Sequence, residues 1–377
     1  MKRRRFCKAL GSSLFLPRSA FGASDEALAA PELYDPTKGI EDAWTIAVLP
    51  DTQNYAKFGK NQAHFVRMCQ WLADNRETWR IKLVLHEGDL VEQNNIAEGG
   101  GRGYGDQNSQ SQWESAKRAL SILDGKVPTI LTTGNHDYGI RNSETRETRF
   151  NEFFPTTSNP LISDGKGGGI LIECGENSFG KRTLENAAYE YIAPDGTKML
   201  IVALEWGPRK AAVDWARELM NREIYRSHTG LLLTHNFITP KSLRDGQDGN
   251  RKRGGNPHVY PTGKSGDTHD GEDLWQSLVK STPNCRLVLN GHEMGSHVGR
   301  RSDLNEANKT VHQMLFNAQG LGGGSDIGGN GGDGWLRLLS FGASSKQLSV
   351  RTFSPLKLDA GKSPWWDHPQ WNFTLKL

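Results

Sequence analysis

Thr129-Ile130-Leu131-Thr132-Thr133-Gly134-Asn135-His136-Asp137 is the stretch that decides the fold. Residues 129–132 are apolar and β-branched and read as a strand, which halts at a glycine followed by three metal-capable or proton-carrying side chains. From ordinary residue frequencies, Gly-Asn-His-Asp arises by chance in about one chain of this length in several hundred. The same grammar recurs on either side. Trp44–Leu49 reads as a strand ending at Asp51, residues 81–85 as one ending at Asp89, residues 231–234 as one ending at His235, and residues 287–289 as one ending at His292. Five strand ends therefore each deliver a metal-capable side chain. In open α/β sheets the carboxyl ends of the strands form the ligand crevice. Singly, each residue has a plain explanation, because Asp and Asn cap helices and make turns and a His is often a satisfied buried polar group. Turn chemistry alone does not produce all of them in this order.

Between these runs, Gln62–Asn75, residues 110–123, Lys210–Met220 with Pro208 ahead of it, and residues 273–279 carry apolar side chains at helical spacing. Strands alternating with helices predict a layered α/β chain. Residues 188–193 and 198–204, separated by Pro194-Asp195-Gly196, read as a hairpin. Strand-like pieces at 311–317, 335–341 and 347–353 predict a more antiparallel second half. Glycine is high, 43 of 377 residues, and residues 236–271 and 320–334 read as long surface loops.

The formal charge is +3, but residues 1–29 hold six basic and two acidic side chains, leaving 40 basic against 41 acidic in the remainder. A near-neutral body lacks the clustered cations of a general polyanion surface, so no nucleic-acid partner is expected. Residues 1–29 read as a signal peptide: a basic start, an apolar stretch at 9–16, and small residues at 20–22 or 27–29 suited to cleavage. Arg3-Arg4-Arg5-Phe6-Cys7-Lys8 looks like the twin-arginine pattern, with an ordinary basic n-region as the alternative. The expectation is an exported chain, periplasmic or extracellular, with the twin-arginine machinery as a partner and no membrane span in the mature form. Cys69, Cys174 and Cys285 are odd in number and widely spaced, which suggests neither a disulfide framework nor a thiolate metal site.

The ordered set Asp51, Gly88-Asp89, Gly134-Asn135-His136-Asp137, Thr234-His235 and Gly291-His292 resembles the calcineurin-like metallophosphoesterase superfamily. That family's pattern is Asp-x-His, Gly-Asp, Gly-Asn-His-Asp/Glu, a lone His and Gly-His-x-His. The resemblance covers about residues 45–297. It implies a four-layer α/β/β/α sandwich with long loop insertions, spanning residues 40–355, with 356–377 as a C-terminal tail packing on it. It implies two divalent ions at the strand ends, bridged by Asp89, with Asn135, His235 and His292 completing the second site and Asp51 serving the first. His136 would be the general acid or transition-state partner, oriented by Asp137. The implied activity is hydrolysis of a small phosphorylated substrate, a monoester or diester, by metal-activated water.

The chemistry suits those residue types. Oxygen donors with neutral imidazoles fit Mn, Fe, Zn or Mg, and paired cations acidify a water while clamping phosphoryl oxygens. A histidine titrating near neutrality can protonate the leaving alkoxide. Two departures fall on the first metal site: the sequence has Asp51-Thr52-Gln53 and Gly291-His292-Glu293-Met294, so both expected imidazoles are missing. Gln53 could offer a carbonyl oxygen, and His297 or Glu293 could reach in if that loop bends. The alternatives are a single-metal hydrolase, or a secreted non-catalytic metal- or ligand-binding protein on the same sandwich. Gly263-Lys264-Ser265 is not a phosphate-binding P-loop, because His258 stands where a glycine is required. Arg251-Lys252-Arg253 reads as a solvated loop, Asp326, Asn330 and Asp333 as a flexible loop rather than a calcium site, and the tail tryptophans as packing over an apolar face.

Overall fold

In the computed structural model, which describes residues 42–99, 104–342 and 346–377, the apolar runs become strands buried on both faces. The signal read in residues 1–29 lies outside the described residues. In chain order the strands are β1 (Trp44–Leu49), β2 (Ile81–His86), β3 (Thr129–Leu131), β4 (Leu171–Glu176), β5 (Arg182–Ile192), β6 (Lys198–Ala203) and β7 (Thr229–Leu233). They continue with β8 (Cys285–Asn290), β9 (Val298–Leu304), β10 (Thr310–Phe316), β11 (Leu336–Phe341), β12 (Gln347–Phe353) and β13 (Phe373–Lys376). One sheet has the order β13-β12-β11-β1-β2-β3 and the other β4-β5-β6-β7-β8-β10-β9. In the first sheet β1-β2-β3 run parallel at one end and β11, β12 and β13 follow antiparallel at the other, whereas in the second β6-β7-β8-β10 run parallel at the centre with antiparallel strands on both sides.

Helices cover the outer faces. Gln62–Asn75 buries Phe65, Met68, Cys69 and Leu72, one stripe at helical spacing, and Trp71 reaches Phe353 of β12 at a ring distance of 4.3 Å. Ser109–Leu120 starts at Asn108, whose side chain accepts the Ser111 N–H at 2.9 Å, and buries Trp113, Ala116 and Ala119. On the second sheet, Val213, Ala216 and Leu219 of Lys210–Met220 pack with Leu274, Leu278 and Val279 onto Leu200, Val202, Leu232 and Val288. Between the sheets, the buried Arg337 guanidinium of β11 lies 4.6 Å from the Phe316 ring of β10, and the Thr132 hydroxyl donates to the Leu204 carbonyl. The result is the α/β/β/α layering.

Some expectations change. The helix expected at 110–123 ends at Leu120 and finishes as a tighter turn, and that expected at 273–279 is one α turn, Gly271–Leu274, followed by a π turn. The second half is more antiparallel, as its pattern suggests, with β9-β10, β1-β11, β11-β12 and β12-β13 all antiparallel, and β10 pairing parallel with β8. The tail tryptophans do pack: Trp371 is buried and stacks on Trp366 at 4.1 Å. Among the described residues no helix is long and apolar enough to cross a membrane.

Candidate metal centre

Parallel strands point their carboxyl ends the same way, so β1, β2, β3, β7 and β8 bring Asp51, Asp89, Asn135, His235 and His292 to one edge of the sandwich. The motif glycines are there because backbone crosses carboxylate. A Cβ on Gly134 would lie 2.1 Å from Asp89 Oδ1, and one on Gly291 would lie 2.2 Å from Asp51 Oδ1. Asp89 and His292 themselves hold left-handed backbone, φ 54° and 67°, a conformation Asp and His tolerate and functional sites retain.

The donors converge. His235 Nε2 lies 3.3 Å from Asp89 Oδ2 and 3.2 Å from Asn135 Oδ1, and 3.9 Å from Asp51 Oδ2. Its Nδ1 faces the Glu87 carbonyl at 2.5 Å, which fixes Nε2 as the nitrogen turned to the cluster. His292 is held in the same way: Nε2 faces the Gly255 carbonyl at 2.8 Å, leaving Nδ1 for the cluster. Asn135 Nδ2 donates to Asn142 Oδ1 at 2.7 Å, which aims Asn135 Oδ1 inward. Asp89, His235 and His292 offer donor atoms all within 4.8 Å of one another.

The electrostatics demand a cation. Asp51, Glu87 and Asp89 are 0%, 1% and 2% exposed. Burial raises Asp51 to about 7, with His235 opposing, and burial with Asp51 pushes Glu87 up as well. Burial would raise Asp89 too, but His235 and His136 hold it below the usual carboxylate range. His235 is driven the other way, to about 10, because Asp89 and Asp51 outweigh its burial. All three oxygens around its Nε2 are acceptors, so the protein alone places an imidazolium proton where a divalent ion would find carboxylate, amide oxygen and imidazole donors. The Gln53 Oε1 atom, buried beside them without a hydrogen-bond partner, is a further acceptor waiting for a cation. This set fits a divalent first-row metal or Mg.

The Asp51 side differs from the His235 side. Asp51 accepts the His292 N–H at 3.1 Å, Asn317 Nδ2 at 3.0 Å and Gln319 Nε2 at 3.2 Å, while Gln53 Nε2 donates to Asp89 Oδ2 at 2.9 Å. Gln53 thus stands where the family pattern has one imidazole and Met294 where it has the other, and the amides of Asn317 and Gln319 take up Asp51 instead. His297 is not brought to the cluster: its Nδ1 pairs with the Asn317 carbonyl at 2.9 Å and its ring faces Trp371. Glu293 does not supply the missing ligand either, since both its oxygens accept from Arg253, at 3.0 and 2.7 Å.

His136 lines the cleft, and Asp137 does not orient it. The three residues of the short turn Asn135–Asp137 point in different directions. Asp137 accepts the N–H groups of Leu90, Val91 and Gly134 at 2.9, 3.2 and 2.8 Å, lashing the β2 and β3 loops together. The imidazole is oriented by Glu92 instead, whose carbonyl lies 2.8 Å from His136 Nδ1 and whose carboxylate pairs with the buried Lys57 at 3.3 Å. Burial opposes protonation of His136, but Asp89 and Glu92 raise its pKa above the ordinary value.

Above the donors opens a cleft of about 830 Å³, walled by the 236–271 loop through Arg253 and Tyr260 and by the 320–334 loop through Gly323 and Asp326. Asn142, Asn317, Gln319, Glu92 and Tyr260 are the parts of this centre that motif spacing misses. Asn317 follows β10, so the strand-end rule reaches it; Glu92 and Tyr260 lie in loops with no pattern. Of the 320–334 oxygens, that of Asn330 accepts the Asp333 N–H and that of Asp333 pairs with Lys357, while Asp326 lines the cleft.

The calcineurin-like phosphoesterase family model matches residues 45–296. The uncharacterized protein YvnB of Bacillus subtilis (strain 168) is 25% identical over 326 residues, covering 85% of this chain and 20% of that relative, so the chain spans about a fifth of its length. Among solved structures, a purple acid phosphatase from yellow lupin (Lupinus luteus) seeds is similar at 13% identity and a TM-score of 0.47, covering 89% of this chain and 54% of that one. A dimetal phosphatase from Danio rerio is similar at 10% identity and a TM-score of 0.46, covering 83% and 96%.

Removing the Asp137 carboxylate strands three buried backbone donors, each worth about 1–3 kcal/mol when unpaired. Asp137→Ala is expected to lower unfolding stability by about 3 kcal/mol or more, read as a fall in the urea midpoint. An unchanged midpoint with lost activity would return Asp137 to a purely catalytic role.

Proposed function

The chain belongs to the calcineurin-like phosphoesterase family, and from that membership we propose that it is a metal-dependent phosphoesterase acting on a phosphate monoester or diester in the cleft above His136 and His292. What supports this reading is the convergence of Asp89, Asn135, His235 and His292 donors around one buried point. Asp89, Asn135, His235 and His292 would hold one divalent ion, and Asp51, Asp89 and the Gln53 carbonyl a second. Bound ions would supply polarisation of the phosphoryl group and acidification of a water, whichever of Mn, Fe, Zn or Mg they are.

The chain's own part is positioning and proton transfer. His136, with Nδ1–H directed to the Glu92 carbonyl, keeps Nε2 for the cleft, where it can protonate the departing ester oxygen. The Asn135 amide, fixed by Asn142, holds its orientation without searching rotamers. Trp206, 4.8 Å from the His292 ring and 5.5 Å from that of His235, is buried against both and shuts out solvent from behind.

The two ion positions are unequal. Two imidazoles favour later first-row ions on the His235 side, whereas an all-oxygen shell on the Asp51 side suits Mg or Mn and binds loosely. The N–H donors already on Asp51 favour this asymmetry and are the observation behind a single-metal alternative. Purified protein is therefore expected to keep one tightly held ion by elemental analysis and to gain phosphoesterase activity when Mn or Mg is added. His136→Ala should retain the same metal content and lose about two to four orders of magnitude in turnover. Equal turnover toward an ester with a poor leaving group would remove His136 from proton transfer.

Export by the twin-arginine route is the accompanying proposal, motivated by Arg3-Arg4-Arg5-Phe6-Cys7-Lys8 and by a centre that would be loaded while folded. Arg3→Lys with Arg4→Lys is expected to trap the precursor inside the cell on fractionation, and unimpaired export would contradict it.

A further inference from the structure

Tyr260 sits between two short turns, Pro257–Val259 and Pro261–Ser265, so a proline ring stiffens the chain on either side of it. Its ring stands edge-on to Trp206 at 5.0 Å and lies 6.4 Å from the His292 ring, so it shares one aromatic platform with two metal-capable imidazoles. The segment is also tied to the centre from the other side. The Thr262 N–H donates to the Ser143 carbonyl at 3.2 Å, and the Ser143 hydroxyl donates to the Asn135 carbonyl at 2.8 Å. Although held this firmly, Tyr260 lines the cleft and its hydroxyl has no hydrogen-bond partner among the described residues. Burial and the carboxylates of Asp89, Glu293 and Asp245 keep the phenol protonated, so it is a neutral donor facing the space a substrate would fill.

The charges around it narrow the substrate. Arg253 spends its fork on Glu293 and Asp245, Arg244 is taken by Glu272 and Asp303, and Lys57 is buried against Glu92. Beyond what the ions themselves neutralise, the second charge of a dianionic monoester calls for guanidinium forks or ammonium groups, and these three are committed to protein carboxylates. Asp248 and Asp326 add negative charge to the lining, with the exposed Lys241 set against them. Pro240, Leu243 and Met294 form an apolar wall, Met294 being 53% exposed, and the 236–271 loop leaves room for a second ester substituent.

We propose that the cleft selects a monoanionic phosphodiester and that the Tyr260 hydroxyl donates a hydrogen bond to its non-bridging oxygen, in the place a guanidinium would take for a dianion. This rests on the phosphoesterase reading. The test compares bis(p-nitrophenyl) phosphate with p-nitrophenyl phosphate on Mn-supplemented protein, using wild type and Tyr260→Phe, with metal content and thermal midpoint recorded for both. Wild type is expected to favour the diester by about tenfold or more in kcat/KM, and Tyr260→Phe to lose about tenfold or more on the diester, metal content and midpoint unchanged. Preference for the monoester, or a Tyr260→Phe variant as active as wild type, overturns this inference alone. A loss accompanied by a fallen midpoint or lost metal makes Tyr260 structural and also overturns it. Hydrolysis of neither ester by metal-loaded wild type overturns the phosphoesterase reading with it.

Discussion

Three carboxylates, those of Asp51, Glu87 and Asp89, are buried together at the ends of β1 and β2, and the rest of the centre is arranged around neutralising them. Unpaired charges removed from water cost several kcal/mol each, so such a cluster persists only with cations or protons among its members. In the protein alone, a proton on His235 and raised carboxylate pKa values do this. Backbone N–H groups from His292 and His136, and amides from Gln53, Asn317 and Gln319, finish the shell. A divalent ion offers more charge at the same point, and the strand ends, close-approach glycines and left-handed Asp89 and His292 are what hold the donors in place for it.

That constraint propagates outward. His292 Nε2 is fixed by the Gly255 carbonyl and Asn135 through Ser143 by the Thr262 N–H, so the 236–271 loop is braced on the same residues that would hold metal. A salt-bridged network of Arg251, His258, Asp270 and Asp273 stiffens the loop from behind. Its oxygens are occupied by Arg251, His258 and Asn256, which gives it a bracing role rather than that of a second cation site. The residues that would hold metal and the loop that walls the cleft are therefore tied together by one piece of backbone.

How much of this is legible in the sequence follows from burial. Central strands are covered on both faces, so β1, β2, β7 and β8 announce themselves as apolar runs, and their ends name Asp51, Asp89, His235 and His292. The edge strands β4, β9 and β13 do not: β9 alternates exposed Arg300, Ser302 and Leu304 with half-buried Gly299, Arg301 and Asp303, and β4 and β13 are partly exposed, so none of the three carries a clear pattern. Asp137 is misread because adjacency in sequence is not adjacency in space within a tight turn. His297 is misread because its ring is taken by the Asn317 carbonyl and Trp371, tertiary partners that spacing does not encode. Glu92 and Tyr260 depend on where long loops settle, a tertiary outcome without local signal.

The central claim is that a divalent ion takes the place of the His235 proton among these carboxylates, and proton release on metal binding tests it most directly. Calorimetric titration of metal-free protein with Mn or Zn at pH 8, in buffers of different ionisation enthalpy, counts the protons set free. With His235 near 10 in the metal-free protein, the account predicts at least about one proton released per tightly bound ion, and loss of that release with the tight site in His235→Ala. Tight binding with no proton release, or the same release without His235, would contradict it.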